Sequence, residues 1–280
     1  MKCTCKSLRQ RGLFLFILGF YFIAILQPIL AKEEESLLFD ISLKKESLII
    51  ASSLAITVFP LLLPKASYET EAPLQEISRL PFFDAWSANP YSKNLDLAGD
   101  FFQYTSLLLP AVLLCTEKTN WLTIGVMYAE SIFLSYGLKN LGKALFPRYR
   151  PYTYFEGAPF SDDTDFKKSF PSGHTTMAFT GASFLSSVFA RYYPESQWKW
   201  PLILGSFSFA TTTAALRIAS GNHFFTDVLS GAILGSFSGF IIPYLHRIET
   251  NINRKNNGAE KPVLVQLNIS SFSSSIRFLF

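Results

Sequence analysis

The chain has 280 residues, 49% of them apolar and only 16% charged, with 28 phenylalanines and a net charge of +4. Soluble proteins carry about a quarter charged residues, and here the apolar residues fall in long uncharged runs, so the chain reads as an integral membrane protein. The positive charge is concentrated in no single block, which argues against nucleic acid as a partner, and three cysteines do not make a disulfide framework.

Residues 1–31 carry Lys2, Lys6, Arg9 and Arg11, then an apolar run from Leu13 to Leu30 that ends at Ala31. This is the layout of a secretory signal peptide, with an uncleaved anchor helix as the alternative. Cys3 and Cys5 do not follow a lipoprotein-type apolar segment, so no lipid anchor is expected. Six further apolar runs follow, at 48–64, 101–116, 121–142, 172–190, 201–217 and 227–245. Most approach the roughly 20 residues that a bilayer core demands, 101–116 being short. The expected fold is all-α, a polytopic membrane helical bundle with about six transmembrane helices. Residues 32–250 would form the membrane domain and 251–280 a polar linker with a short strand-like tail.

Between the first two runs lies 65–100, polar and acidic, with Glu69, Glu71, Glu76, Asp84, Asp96 and Asp100. It reads either as a short surface helix turning Leu80, Phe82, Phe83 and Trp86 to lipid, or as a plain loop. Cys115, in an apolar run, is expected to be buried. Glu130 interrupts run 121–142. An ionisable group inside a membrane helix is a functional candidate, the alternative being an inward glutamate paired with a neighbouring helix. Pro147 should end that helix. In loop 152–170 the cluster Asp162, Asp163 and Asp165, followed by Lys167 and Lys168, reads as a solvated loop rather than a calcium site. It is also a natural lid. Small residues recur every four positions at Ala178, Ala182, Ser186 and Ala190, and again at Gly231, Gly235 and Gly239. Such stripes let membrane helices approach closely, so these two helices should pack on each other or on a shared neighbour. Beyond Leu245, His246 reads as an interfacial histidine rather than a ligand. Residues 263–269 and 276–280 alternate like strands, as a small hairpin or frayed tail.

Three polar blocks adjoin these runs. They are Lys143 to Pro151 (with Arg148 and Arg150), Pro171-Ser172-Gly173-His174, and Arg217 to Asp227 (with His223). Phosphoryl transfer needs positive charge around the equatorial oxygens, an in-line nucleophile and an acid for the leaving group. Lys143, Arg150 and Arg217 can supply the charge, the arginine fork suiting phosphate oxygens. Ser172 and the backbone around Gly173 stand where a helix should begin, a natural anion site. His223 and Asp227 are four apart, which on a helix puts them on one face. There a carboxylate can hold one imidazole nitrogen and leave the other free to attack. His174 is then the candidate acid. Alternation of spans brings the end of 121–142, the start of 172–190, the end of 201–217 and the start of 227–245 to one membrane face.

These blocks resemble the type 2 phosphatidic acid phosphatase family, whose motifs read K-x6-R-P, P-S-G-H and S-R-x5-H-x3-D. Lys143, Arg150-Pro151, Pro171 to His174, Arg217, His223 and Asp227 match in order and spacing, and Leu216 stands where the family usually has serine. The resemblance implies a membrane phosphatase that hydrolyses a phosphate monoester or diphosphate on a lipid. His223 would become a phosphohistidine, Asp227 would orient it and His174 would protonate the leaving oxygen. Lys143, Arg150, Ser172, Gly173 and Arg217 would hold the phosphate, with no metal and no cofactor. A phosphotransferase to a second lipid is the first alternative, and a non-catalytic membrane scaffold the second. The implied partners are a phosphorylated lipid and the bilayer, and no obligate protein partner is inferred.

Two signals disagree about orientation. The basic tail after Leu245 and the acidic 65–100 segment place the motifs outside the inner membrane. A cleaved signal peptide followed by a spanning 48–64 would reverse this. The expectation is an external active site, supported by Pro60, Pro64 and the polar residues that make 48–64 the least secure span.

Overall fold

The computed structural model describes residues 38–63, 74–157, 164–248, 264–267 and 276–279. The signal-peptide or anchor segment 1–31, Asp162 and Asp163, and the polar stretch 251–261 lie outside these residues. The chain divides into two units at Arg247/Ile248.

The first unit is helical. Its helices are α1 (Leu43–Leu62), the short α2 (Phe82–Ala85), α3 (Lys93–Leu108), α4 (Trp121–Leu145), α5 (Gly173–Tyr192), α6 (Lys199–Ala219) and α7 (Phe225–Leu245). The second contains a hairpin, β1 (Leu264–Leu267) antiparallel to β2 (Ile276–Leu279), with Leu264 opposite Leu279 and Leu267 opposite Ile276. Among the described residues six long helices therefore form where six apolar runs stand. Among the described residues only four, not six, are long and apolar enough to cross a membrane: α1, α3 extended to Cys115, α6 and α7. The chain is a multi-pass membrane protein on that basis. α4 and α5 fall short because of what they carry inward. Glu130, Ser131 and Ser135 of α4 are buried, as are Thr175, Thr176 and Thr180 of α5. α5 touches α3, α4, α6 and α7, so its polar groups face helices rather than lipid.

The segment before α3 forms the short helix α2, with Phe82, Phe83 and Trp86 exposed and Asp84 buried. α3 begins earlier than the apolar run suggests, at Lys93. Its α-helical geometry ends at Leu108, before Pro110, and a 3₁₀ turn continues to Cys115. That turn leaves Cys115 exposed, not buried as its apolar setting suggests.

Lipid is as apolar as a leucine side chain, so close packing and hydrogen bonds must hold these helices together. The tightest seam is α5 on α7. Gly231, Gly235 and Gly239 face the carbonyl oxygens of Ser172, Thr176 and Thr180, and a Cβ at Gly239 would come 2.5 Å from Thr180 O. Ser183 Oγ donates to Ser236 O across the seam at 2.9 Å. The small residues of α5 serve its other side: Ala178 and Ala182 pack on Ala210 of α6. Phe184, Leu185 and Val188 of α5 then fill the core with Ile124 and Met127 of α4 and Ile242 of α7.

Candidate active site

α4 stops at Leu145, and the chain beyond it runs back against the end of the loop that precedes α5. Arg148 N donates to Lys167 O (2.9 Å), Arg150 N to Phe166 O (2.8 Å) and Ser169 N to Arg148 O (3.0 Å). Lys143 Nζ donates to Lys168 O at 2.5 Å. Ser172 caps α5, its hydroxyl accepting from Thr175 N at 3.4 Å and pairing with Thr175 Oγ1 at 2.9 Å. Ser172 N donates to Asp227 O at 3.0 Å, which joins the start of α5 to the start of α7. Gly221 turns the chain out of α6 with φ +73°. A Cβ there would meet Asn89 O at 2.5 Å, so glycine is required for space as well as for conformation.

That turn delivers His223, 1% exposed, to the centre of the site. Its Nε2 lies 3.5 Å from Arg150 Nη1 and its Nδ1 lies 3.8 Å from Asp227 Oδ2. The spacing works differently from a shared helix face. His223 precedes the helix, whose N-cap is Phe224, and Asp227 occupies the third helical position. Asp227 Oδ2 accepts from Phe224 N (2.8 Å) and Ser169 Oγ (2.5 Å), so it faces His223 Nδ1 beyond hydrogen-bond reach. Burial first, then the cations Arg150, Lys143 and Arg217, push the His223 imidazole well below its ordinary pKa of 6.5. It is therefore neutral near pH 7, as a nucleophile must be.

His174, in the first turn of α5, sits on the open side. A third of its side chain is exposed, and its Nε2 lies 2.8 Å from Asp100 Oδ1. Arg217, at the end of α6, is buried and forms an ion pair with Asp96 Oδ1 and, at 3.3 Å, with Asp100 Oδ1. Arg150 Nη1 also reaches Asn222 O at 3.2 Å. The fold thus brings His223, Arg150, Asp227, Ser172, Arg217 and His174 to one end of the bundle. Gly173 and Lys143 come there at the start of α5 and the end of α4, with Lys139 also beside Gly173.

Several residues of this region have no role in the motifs, among them Asp84, Asp96, Asp100 and Arg148. Asp96 and Asp100 stand one helical turn apart on α3 and hold Arg217 and His174. Asp84 of α2 accepts from Thr226 N (3.0 Å), Thr226 Oγ1 (2.7 Å) and Arg148 Nη2 (2.6 Å). Arg148 Nη1 in turn donates to Asp227 Oδ1 at 2.7 Å and Thr226 Oγ1 at 2.8 Å. Asp84 and Arg148 therefore position Asp227 from behind. The i,i+4 spacing of Asp96 and Asp100 was visible in the sequence, but nothing in it showed which cation they face.

Residues 124–250 match the model of the PAP2 superfamily. The matched stretch runs from α4 to just past α7 and contains every motif residue named above. Among curated relatives, a lipid A 1-phosphatase of Porphyromonas gingivalis is 29% identical over 167 residues, which cover 58% of this chain and 34% of that protein. An undecaprenyl-diphosphatase of Sulfolobus acidocaldarius is 27% identical over 139 residues, 50% of this chain and 62% of that protein. The match thus covers less than two thirds of either relative. Among solved structures, Aquifex aeolicus LpxE aligns at 26% identity over 56% of this chain and 90% of its own, with a TM-score of 0.41. A PAP2-type phosphatidylglycerolphosphate phosphatase of Bacillus subtilis aligns at 20% identity over 82% and 94%, with a TM-score of 0.40.

Proposed function

We propose that this protein hydrolyses a phosphate monoester or diphosphate on a membrane lipid through a phosphohistidine at His223. The observation that carries the reading is the orientation of the His223 ring, with Nδ1 towards Asp227 and Nε2 towards the Arg150 guanidinium. A phosphoryl group held by Arg150, Lys143 and Arg217, with the Gly173 backbone and Ser172 at the helix start, would present phosphorus to Nε2. The Nε2–P bond forms as the P–O bond to the lipid breaks, and His174 gives a proton to the departing oxygen. Water then attacks the phosphohistidine, passing a proton to His174, and inorganic phosphate leaves. The cations stabilise charge on the equatorial oxygens throughout.

The two curated relatives act on lipid A and on undecaprenyl diphosphate, so both belong in the substrate panel beside phosphatidic acid and phosphatidylglycerol phosphate. The test is phosphate release from each purified lipid, with products identified, together with acid-labile incorporation of labelled phosphate into the protein. The expected result is release from one lipid class and label on the wild type but not on His223→Ala. Wild-type turnover in His223→Ala would overturn the mechanism, and recovery of the phosphate on a second lipid would make the protein a phosphotransferase.

We infer that the site faces the outer side of the inner membrane; the basic residues after Leu245 and the acidic segment before α3 support this reading. With α1 a 20-residue helix long and apolar enough to span, this orientation requires that residues 1–31 neither cross the membrane nor are removed after crossing. A single cysteine in loop 157–168 of a cysteine-free variant should react in intact cells with a reagent excluded by the inner membrane. Labelling only after that membrane is broken would put the site in the cytoplasm.

A further inference from the structure

The far end of α7 carries a second group of ionisable side chains. α7 has 21 residues, so at about 1.5 Å per residue this group lies about 30 Å along the helix from His223. His246, the C-cap of α7, is fully buried, not interfacial. Its Nδ1 lies 2.8 Å from Ile242 O. A carbonyl oxygen can only accept, so Nδ1 carries a proton and Nε2 is the ring nitrogen turned the other way. Facing Nε2 are two carboxylates from different helices: Glu46 Oε1 of α1 at 2.9 Å and Glu130 Oε2 of α4 at 3.5 Å. Both glutamates are at most 4% exposed, and among the described residues His246 is their only ion-pair partner. Glu46 Oε2 and both oxygens of Glu130 are buried without a hydrogen-bond donor.

Acceptors that point at one another in a dry interior need something positive between them. A single proton satisfies one contact and leaves the remaining oxygens bare. A dication satisfies all of them at once and neutralises both carboxylates. One ligand atom from each residue lies within 4.8 Å of the other two, and the 2.9 and 3.5 Å separations suit atoms held at about 2.0–2.2 Å from a common centre. Two carboxylates and an imidazole form a borderline donor set that zinc accepts. The bond from Nδ1–H to a backbone carbonyl is the outer contact that orients metal-bound histidines.

We propose that Glu46, Glu130 and His246 bind a divalent transition-metal ion of the zinc class. The ion ties α1 to α4 and α7 at the end of the bundle remote from His223. It supports the bundle and takes no part in turnover. The contacts already there point to the same junction, since Asp40 N donates to His246 O at 2.8 Å and Phe39 bridges to Arg247.

The test uses the full chain purified in detergent. Bound metal is measured after dialysis against zinc, and the thermal unfolding midpoint is followed with zinc and with a strong chelator. The wild type should retain about one zinc per chain, with a midpoint that falls on chelation and returns with zinc. Glu130→Gln and Glu46→Gln should bind zinc at least tenfold more weakly while keeping wild-type phosphatase turnover, which shows that they fold. His174→Ala, which removes the exposed imidazole at the catalytic end, should keep its zinc. A wild type that takes up no more zinc than Glu130→Gln, or whose midpoint responds to neither zinc nor chelator, would overturn the proposal and assign the cluster to a shared proton. Loss of the zinc in His174→Ala would move the ion to the catalytic end and overturn it as well.

Discussion

Replacing Arg148 by alanine tests whether Asp227 is held from behind. The guanidinium bridges Asp84 Oδ2 (2.6 Å) and Asp227 Oδ1 (2.7 Å), two carboxylates at most 1% exposed. Breaking a buried ion pair by removing one partner costs about 3–5 kcal/mol. Here the orphaned groups keep some donors. Asp84 retains Thr226 N and Oγ1, and Asp227 retains Ser169 Oγ and Phe224 N. The Arg148 side chain is also 23% exposed, so water can enter behind it. These two facts put the cost at the low end, about 3 kcal/mol. Turnover should fall further than stability alone requires, because Asp227 loses its fixed orientation towards His223. By analogy with a misplaced orienting carboxylate, the loss in kcat is roughly 10²-fold or more. Arg148→Lys should fall between the two, since an ammonium is a point charge and cannot fork across both carboxylates. The assay is phosphate release from the preferred lipid, paired with thermal unfolding in the same detergent. If Arg148→Ala keeps kcat within about twofold of wild type and unfolds at the same temperature, the bridge is ornamental and the reasoning fails.

Four further outcomes follow from the site. Asp227→Asn should slow turnover by about 10²-fold and, being buried beside Arg148, should also lower the unfolding temperature; an unchanged rate would remove Asp227 from the mechanism. Vanadate should inhibit, because its trigonal-bipyramidal form mimics the transition state, and brief EDTA treatment should leave kcat unchanged because side-chain cations grip the phosphate; strict dependence on an added divalent ion would contradict this. His223 is held neutral in the fold while the unfolded chain takes up a proton below about pH 6.5. Its contribution is therefore fully present above that pH and is lost as pH falls, with a slope of about 1.4 kcal/mol per pH unit. Unfolding midpoints between pH 7 and 5 should fall less steeply in His223→Asn than in the wild type, and equal slopes would refute the burial argument.

Much of the site could be read before the fold was known, because its parts are short-range. Pro171-Ser172-Gly173 starts a helix by local capping chemistry, and Pro147 bars α4 from continuing. The glycines of α7 announced a close seam because only a missing Cβ permits one. What escaped was long-range. Asp96 and Asp100 look like solvated charges at a helix start until α3 is seen beside the end of α6. Asp84 lies in a stretch that reads equally as loop or surface helix, and its partner Arg148 is 64 residues away. His246 looks interfacial because it follows the last apolar residue, and only the meeting of α1, α4 and α7 buries it. The reading of about six transmembrane helices compares with four described helices long and apolar enough to cross a membrane. The serines and threonines of α4 and α5 are answered inside the bundle, and sequence hydropathy cannot see the answer.

The carboxylates on α3 bear on how the site empties. A pocket built from Arg150, Lys143 and Arg217 would hold a free phosphate dianion firmly, and an enzyme that clings to its product turns over slowly. Asp96 and Asp100 already pair with Arg217 Nη1, while the buried Arg217 Nε has no hydrogen-bond partner. On the proposed reading, an arriving phosphate must displace them and a departing one hands Arg217 back to them. Binding becomes an exchange of counter-ions rather than the filling of a bare positive hole. The charge on Arg217 is then compensated in both states, and release costs less than the number of cations suggests.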